Sequence, residues 1–222
     1  MSFRDRSDAG RALAEALAKY KDERPVILAL PRGGVPVAAE VATALNAPLD
    51  LILVRKIGVP RQPELAMGAV VDGKTPLVVR NEDVIAMAGI EEAEFNSVRD
   101  RELTEIERRR ERYLGSRQPV EIAGRTAIVI DDGIATGATT RAALRAMRAR
   151  KPKKLVLAVP VAPTDTLEAM EGEADEIVSL EQHIFFGAIG IYYSDFQQIS
   201  DEEVIAILKR FPPEGAKPEA AA

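Results

Sequence analysis

Short apolar runs alternate along the chain with segments of helical spacing, and this alternation limits the possible folds more than any other feature. The first run, VILAL at 26–30, is apolar throughout, as is typical of a strand covered on both faces in a parallel sheet. A glycine-containing turn and a segment with apolar residues at helical spacing follow it at 34–46. The alternation predicts an α/β fold with an open, mainly parallel sheet flanked by helices. Further strands are predicted at 49–55, in the run TAIVI before Asp131, at 153–162 and at 176–180, and further helices at 138–149 and 164–171.

Three segments depart from this alternation. Ser7 can cap an N-terminal helix. Residues 66–79 are predicted to form a β-hairpin that turns at Asp72-Gly73, a pair that tolerates positive φ. Before it, the stretch KIGVPRQPE at 56–64 contains two prolines and one glycine, so it is predicted to be a mobile loop.

The segment 82–114 is rich in charge, with opposite charges at helical i,i+4 spacing such as Glu105 and Arg109. Its apolar stripe is narrow, which predicts a solvated helix lying across the surface of the domain. The alternative is that its run of arginines contacts a ligand or a second subunit. The stripe consists of Val98, Leu103, Ile106 and Tyr113.

The composition disfavours several classes of function. A net charge of −5 provides no positive field for nucleic-acid phosphates, so no nucleic-acid partner is expected. The sequence has no cysteine, which excludes disulfides and thiolate metal sites. It shows no apolar leader and no run of the roughly 20 apolar residues that cross a bilayer. A soluble, cytoplasmic protein without a membrane partner is therefore expected.

One predicted strand ends on two acids followed by small residues, VIDDGIATGATT. Ligands of open parallel sheets bind beyond the carboxyl ends of the strands, where Asp131 and Asp132 are expected to lie. A carboxylate can accept hydrogen bonds from a sugar diol, and either acid could also act on a hydrated Mg²⁺, directly or through water. The following TGATT opens a helix, whose free N–H groups and threonine hydroxyls suit a phosphate. Together these features indicate a site for a sugar phosphate.

Each half of this stretch also has a simpler interpretation. The acids could be ordinary polar residues at the end of a strand, and Thr139 or Thr140 could merely cap the helix. Their succession on one strand, turn and helix favours a binding site. The pattern is neither a P-loop, which needs a lysine after its glycines, nor a dinucleotide-binding turn.

The stretch AIVIDDGIATGATT resembles the diphosphate-sugar signature of the type I phosphoribosyltransferases. The resemblance implies that Asp131 and Asp132 are the catalytic acids and hold the ribose 2′ and 3′ hydroxyls of phosphoribosyl diphosphate (PRPP). It also implies that Mg²⁺ is the cofactor and that the turn holds the 5′-phosphate. The residues implied for the phosphate are Thr136, Gly137, Ala138, Thr139 and Thr140.

A second turn, LPRGGVP at 30–36, lies where this family keeps its diphosphate loop. The resemblance implies that Arg32 supplies charge, that Gly33 and Gly34 supply N–H groups, and that a non-proline cis peptide bond occurs here. The stretch RKIGVPRQPE lies where the family has a mobile cover over the diphosphate. Its cations either neutralise the leaving group or are ordinary surface residues. They are Arg55, Lys56 and Arg61.

The resemblance covers a core of about residues 25–180 and implies a small hood over the acceptor, formed by the N-terminal helix and about 181–212. Five of the ten aromatic residues fall within 183–196, so this stretch is expected to belong to the hood. These rings could stack on a planar acceptor or pack the hood's own core. His183 suggests no metal site. The candidates for the acceptor are Phe185, Tyr192, Tyr193 and Phe196.

One domain is therefore predicted over residues 1–212, with a helical insertion at 82–114 and a disordered tail at 213–222. The expected reaction transfers ribose 5-phosphate from PRPP to an unidentified small-molecule acceptor, expected to be a nucleobase, with release of diphosphate. The alternatives are a non-catalytic protein that senses PRPP or a nucleotide, and a different phosphate-handling α/β enzyme. A homodimer is a further expectation that the sequence leaves open.

Overall fold

The computed structural model describes residues 3–73 and 75–212, and a five-stranded sheet lies at its centre. Its strands are β1 (Val26–Ala29), β2 (Leu49–Leu51), β6 (Thr126–Ile130), β7 (Lys154–Pro163) and β8 (Glu176–His183). The spatial order is β2-β1-β6-β7-β8, and every neighbouring pair is parallel. The predicted open parallel α/β sheet is confirmed. The tail predicted at 213–222 lies outside the described residues.

Helices cover both faces of this sheet. Alternate residues of each strand point to opposite faces, so each strand contributes to two cores. These helices are α1 (Arg6–Ala16), α2 (Gly34–Leu45), α5 (Ala138–Ala149), α6 (Thr164–Glu168) and α7 (Asp201–Lys209). Ile27 and Ile128 pack in one core with α1, α2 and α7, while Leu28 and Val129 pack in a second core with α5. The N-cap of α1 is Asp5 rather than the predicted Ser7, since Asp5 Oδ1 accepts from the Asp8 N–H at 2.8 Å.

A separate antiparallel sheet follows β2. It consists of β3 (Val54–Val59), β4 (Gln62–Val71) and β5 (Leu77–Arg80), in that order. The hairpin predicted around Asp72 is confirmed as β4 and β5, and the strand predicted at 49–55 is divided between the two sheets. The prediction of a loop at 56–64 is wrong, because Val59 pairs with Gln62 across a two-residue turn. The prolines lie near this turn, where they interrupt few ladder hydrogen bonds.

The charged segment forms two helices, α3 (Glu82–Ala88) and α4 (Glu92–Tyr113), instead of one. Gly89, with a φ of 63°, ends α3. α4 packs against β3 and β4 and buries Val98, Ile106 and Tyr113 of its predicted stripe. Its arginines pair largely with carboxylates of the same helix, in agreement with a solvated helix on the surface. Examples are Arg108 and Arg109 with Glu105, and Arg110 with Glu107.

The N-terminal residues and the chain after β8 lie together. The Phe3 N–H donates to the Tyr192 carbonyl and the Ser194 N–H donates to the Phe3 carbonyl, each at 2.8 Å. A 3-10 turn at Ile189–Tyr192 and helix α7 complete this region. Within the described ranges, no helix combines the length and the apolar character that crossing a bilayer requires.

Candidate functional site

Two turns lie side by side at the carboxyl ends of β1 and β6. The strands pair in register up to Ala29 and Ile130, and the Leu30 N–H donates to the Ile130 carbonyl at 2.9 Å. The peptide bond between Pro31 and Arg32 is cis, as the resemblance implies. The two predicted binding stretches are therefore neighbours in space, although about 100 positions separate them in the sequence.

The glycines of the first turn let it approach the acids. A Cβ atom on Gly34 would lie 2.7 Å from the Ile130 carbonyl oxygen and 2.9 Å from the Cα of Asp131. The Gly34 N–H donates to the Leu30 carbonyl at 3.1 Å. The role of Gly34 is therefore steric: the absence of a side chain lets the turn lie close to the end of β6. Its N–H is already hydrogen-bonded within the turn. A Cβ atom on Gly33 would lie 2.0 Å from Oδ2 of Asp132, so the turn is packed directly against that carboxylate.

Asp131 is the first residue after β6. Its Oδ1 accepts from the Asp132 N–H at 2.9 Å, which holds the carboxylate near the backbone of the turn. Burial, reinforced by the neighbouring Asp132 carboxylate, raises the pKa of Asp131 well above its usual value. A cation bound beside the pair would offset the repulsion between the two carboxylates.

Asp132 is held by two residues from distant parts of the chain. It is only 7% exposed, and its Oδ2 accepts from Arg6 Nε at 2.7 Å. The Tyr193 hydroxyl donates to its backbone carbonyl at 2.5 Å. Burial raises the pKa of this tyrosine above its usual value, so the hydroxyl keeps its proton. Arg6 and Tyr193 thus fix the side chain and the backbone of the same acid.

The turn after the acids leads into α5. Gly137 precedes the helix with a φ of 72°, and a Cβ atom there would lie 2.1 Å from Met170 Cε. Thr166 donates to the Ala135 carbonyl at 2.9 Å, so α6 supports the turn from outside. The first N–H groups of α5 have no partner within the helix, and they lie next to the turn.

The five residues implied for the phosphate differ in their exposure to solvent. Thr136, Ala138 and Thr139 are exposed, whereas Gly137 and Thr140 are buried. Thr140 is only 3% exposed. A cavity of about 480 Å³ adjoins Thr136 and Ala138 and extends between α5 and the second sheet.

Arg32 lies on the cis turn and is held by an acid of the hood. Its Nη1 donates to Asp201 Oδ1 at 3.4 Å. Asp201 also receives the Tyr113 hydroxyl and lies 2.9 Å from Arg112 Nε. The Tyr113 hydrogen bond, followed by the charges of Arg112 and Arg32, lowers the pKa of Asp201, so this acid stays ionised. The charged helix α4 thereby reaches the implied diphosphate turn through Asp201.

The three cations of the predicted cover lie on the second sheet. Arg55 donates to Glu102 of α4 at 2.8 Å, and Lys56 donates to Glu64 at 3.0 Å. Arg61 is exposed at the turn between β3 and β4. Carboxylates of the chain thus already engage two of these cations, and a ligand would have to compete with those carboxylates for them.

The aromatic candidates divide between an exposed ring and packed rings. Phe185 is 94% exposed. Tyr192 stacks against His183 and Phe186, with ring centroids 4.4 and 5.0 Å apart. Tyr193 is 6% exposed and packs against Phe3 and Phe196, with ring centroids 5.6 and 4.9 Å apart.

Phe196 has one face against Tyr193, and the Cζ of Arg6 lies 3.8 Å from its centroid. Packing of the hood, the alternative left open by the sequence, therefore accounts for Tyr193 and Phe196. The hood also touches the acid turn directly, since a Cβ atom on Gly133 would lie 2.7 Å from Ile189 Cγ2.

The described residues contain no group of three or more His, Cys, Asp or Glu side chains that could hold a metal ion on its own. The acid pair offers two carboxylates, which are hard oxygen donors of the type that Mg²⁺ prefers. A Mg²⁺ ion here would need ligand oxygens or water to complete its coordination, as is usual at phosphate-handling sites. The donor set fits a Mg²⁺ ion that arrives with a phosphorylated substrate.

Comparison with known proteins gives a consistent family. A family model described as "Phosphoribosyl transferase domain" matches residues 6–195. "Putative phosphoribosyl transferase MT0597" and "Putative phosphoribosyl transferase Rv0571c", from two strains of Mycobacterium tuberculosis, are each 48% identical to the chain over 208 residues. These alignments cover 94% of the chain and 46% of each relative, so the chain spans about half the length of the curated relatives it matches.

A solved structure agrees with the fold. The crystal structure of TT1426 from Thermus thermophilus is 42% identical and has a TM-score of 0.83. The match covers 96% of this chain and 100% of that one.

Proposed function

Since the chain belongs to the phosphoribosyl transferase domain family, we propose that it transfers ribose 5-phosphate from PRPP to a small planar acceptor and releases diphosphate. The observation that carries this proposal is the contact between two turns of different chemistry. The acid pair at the end of β6 adjoins the glycine turn at the end of β1, and the N-terminus of α5 follows within the same stretch. One ligand with a diol, a phosphate and a diphosphate would use all three.

The contacts suggest a role for each part. Asp131 and Asp132 each have one oxygen engaged within the protein, and each has a second oxygen that could accept from a ribose hydroxyl. Backbone N–H groups at the start of α5 and the exposed Thr136 and Thr139 would hold the 5′-phosphate. Arg32 would hold the diphosphate after exchanging Asp201 for a phosphate oxygen.

Mg²⁺ is the proposed cofactor, and Asp131 and Asp132 would hold it directly or through water. When bound, it would supply positive charge that offsets the charge developing on the diphosphate. The donor set supports this assignment, because the two adjacent carboxylates supply hard oxygen ligands of the type that Mg²⁺ prefers.

Catalysis would come from positioning and electrostatics. In the transition state the bond between the anomeric carbon and the diphosphate oxygen breaks, and the sugar gains oxocarbenium character. The acids next to the ribose would stabilise this positive charge, while Arg32 would stabilise the negative charge on the leaving diphosphate. The exposed ring of Phe185 offers a face on which a planar acceptor, such as a nucleobase, could stack.

The test combines turnover with binding. The protein is incubated with Mg²⁺, PRPP and a panel of nucleobases, and diphosphate release is measured, while calorimetry measures the binding of Mg²⁺·PRPP alone. We expect turnover with at least one base, and a loss of about tenfold or more in Asp131→Asn and Asp132→Asn. Asp22→Asn is the matched control, because Asp22 is exposed and precedes β1 at the opposite edge of the sheet.

Each contrary outcome has its own meaning. Binding of Mg²⁺·PRPP without turnover would favour the sensing protein over the enzyme. Failure to bind PRPP, with affinity for another phosphorylated ligand, would favour a different phosphate-handling enzyme. Unaltered turnover in both aspartate variants would refute the assigned site.

A further inference from the structure

Arg6 is a charged residue in an unusual place. It belongs to the first turn of α1, yet it is only 9% exposed. Burial of a guanidinium is costly unless charge and hydrogen bonds compensate for it. Arg4 and Arg11 of the same region, in contrast, have side chains that are 70% and 47% exposed. The burial of Arg6 therefore calls for a specific partner, and that partner is one of the two acids.

Three contacts fix the guanidinium of Arg6. Its Nε donates to Asp132 Oδ2 at 2.7 Å, and its Nη1 donates to the Gln197 carbonyl at 2.8 Å. Its Cζ lies 3.8 Å from the centroid of the Phe196 ring. The two hydrogen bonds and the stacking on Phe196 fix both the position and the orientation of the guanidinium plane. A lysine ammonium could not make the same set of contacts.

The Asp132 carboxylate also lies against the diphosphate turn. The backbone of Gly33 lies so near that a Cβ atom there would be 2.0 Å from Oδ2 and 2.8 Å from Oδ1. The carboxylate is thus held between Arg6 and the diphosphate turn, and its orientation depends on both. Because helix α1 and the hood residues 196–197 hold Arg6, the acid is positioned by parts of the chain outside its own turn.

We propose that Arg6 is a positioning residue for PRPP binding: it orients the Asp132 carboxylate so that one oxygen faces the ribose hydroxyls. This inference rests on the proposed function. Arg6 itself touches no reacting atom and acts through Asp132. Helix α1 and the hood thereby become part of the sugar site as well as a cover for the acceptor.

A double-mutant cycle tests the inference. The affinity for Mg²⁺·PRPP is measured by calorimetry for the wild type, Arg6→Ala, Asp132→Asn and the double variant. We expect Arg6→Ala to weaken binding by about tenfold to a hundredfold, the range for loss of one charge-assisted hydrogen bond. In the Asp132→Asn background the same change should weaken binding by no more than about threefold, because the carboxylate that it orients is gone.

Two further variants complete the test. Arg6→Lys keeps the positive charge but lacks the planar guanidinium, so it should recover part of the PRPP affinity that Arg6→Ala loses. Arg11→Ala, an exposed arginine on the same helix, should bind Mg²⁺·PRPP as the wild type does. Arg6→Ala leaves Asp132 as an unpaired buried charge. If that variant does not fold for this reason, the cycle is run with Arg6→Lys, which retains the positive charge at position 6.

The outcomes separate this inference from the proposed function. A wild-type protein that does not bind PRPP would overturn both. A wild type that binds PRPP while Arg6→Ala matches Arg11→Ala would overturn the inference alone. Equal losses from the arginine change in the wild type and in the Asp132→Asn background would also overturn it, since they would show a structural effect independent of the acid.

Discussion

Charge is arranged differently at the carboxyl edge of the parallel sheet and on helix α4. At the edge, Arg6 and Asp132 are 9% and 7% exposed and lie 126 positions apart in the sequence. On α4, Arg108 has a side chain that is 54% exposed and pairs with Glu105 one turn away. Breaking a buried pair costs about 3–5 kcal/mol, whereas an exposed pair contributes about 0–1 kcal/mol.

This difference separates charges that the folded core holds in place from charges on a solvated surface. Both regions are rich in arginine and carboxylate, so composition does not distinguish them. Burial does, because a buried charge persists only where its surroundings determine its position. The largest effects of substitution should therefore fall at the edge of the parallel sheet.

The largest effect is expected from Gly33→Ala. The added methyl would lie 2.0 Å from Asp132 Oδ2, so the carboxylate must move away from Arg6 or the turn must shift. Displacing this buried pair should weaken Mg²⁺·PRPP binding by roughly a hundredfold or more, as measured by calorimetry.

Gly89→Ala is the control for backbone strain. Gly89 has a φ of 63° and no atom within 4 Å of an added Cβ. The control should lose about 1 kcal/mol of unfolding free energy and retain its PRPP affinity. Equal affinity in the two alanine variants would contradict the packing of Asp132 against the turn.

A smaller effect is expected from Arg32→Ala, for which Arg55→Ala is the comparison. Arg32 lies on the turn that adjoins the acids, and its contact with Asp201 is long at 3.4 Å, so a phosphate can replace it. Arg55 is held at 2.8 Å by Glu102 of α4. We expect turnover to fall by about tenfold in the first variant and by no more than about threefold in the second. The reverse order would assign the diphosphate to the second sheet.

Most of the fold follows from the sequence because its signals are local. Continuous apolar runs predict the buried strands, and Gly137 and the acids mark the edge where a ligand would bind. The stretch at 56–64 shows the limit of this reasoning. Its prolines and glycine suggest a loop, but pairing with the neighbouring chain turns it into a hairpin. Local propensity cannot report a partner strand.

The acid pair and the two turns could be predicted as parts of one site, because the carboxyl ends of parallel strands meet at one edge. The contacts of Arg6 with Asp132 and of Arg32 with Asp201 could not. Their partners are 126 and 169 positions apart, and no spacing rule connects them. Its burial and its contact with Asp132, both visible only in the folded protein, distinguish Arg6 from its exposed neighbours Arg4 and Arg11.

The smallest effects concern stability and compare two acids with similar pKa values. Lys19, followed by Tyr20 and Lys154, holds the pKa of Glu176 at about 2. Because the folded-state pKa lies below the usual value of 4.5, this stabilisation is fully present above about pH 4.5. It is lost as the pH falls through about 2. Glu176→Gln should therefore lose about 1 kcal/mol of unfolding free energy at pH 7 and show a weaker dependence on acid.

Glu105 is the matched comparison, since Arg108 and Arg109 also hold its pKa at about 2. Its partners lie three and four residues away on the same helix, whereas Glu176 joins β8 to β7 and to the segment before β1. Pairs within one helical turn contribute about 0.3–0.5 kcal/mol each, so Glu105→Gln should lose less than Glu176→Gln in urea denaturation at pH 7. An equal or larger loss for Glu105→Gln would show that ion pairs within α4 contribute as much to stability as the contacts by which Glu176 joins separate segments of the chain, and it would contradict the expected order.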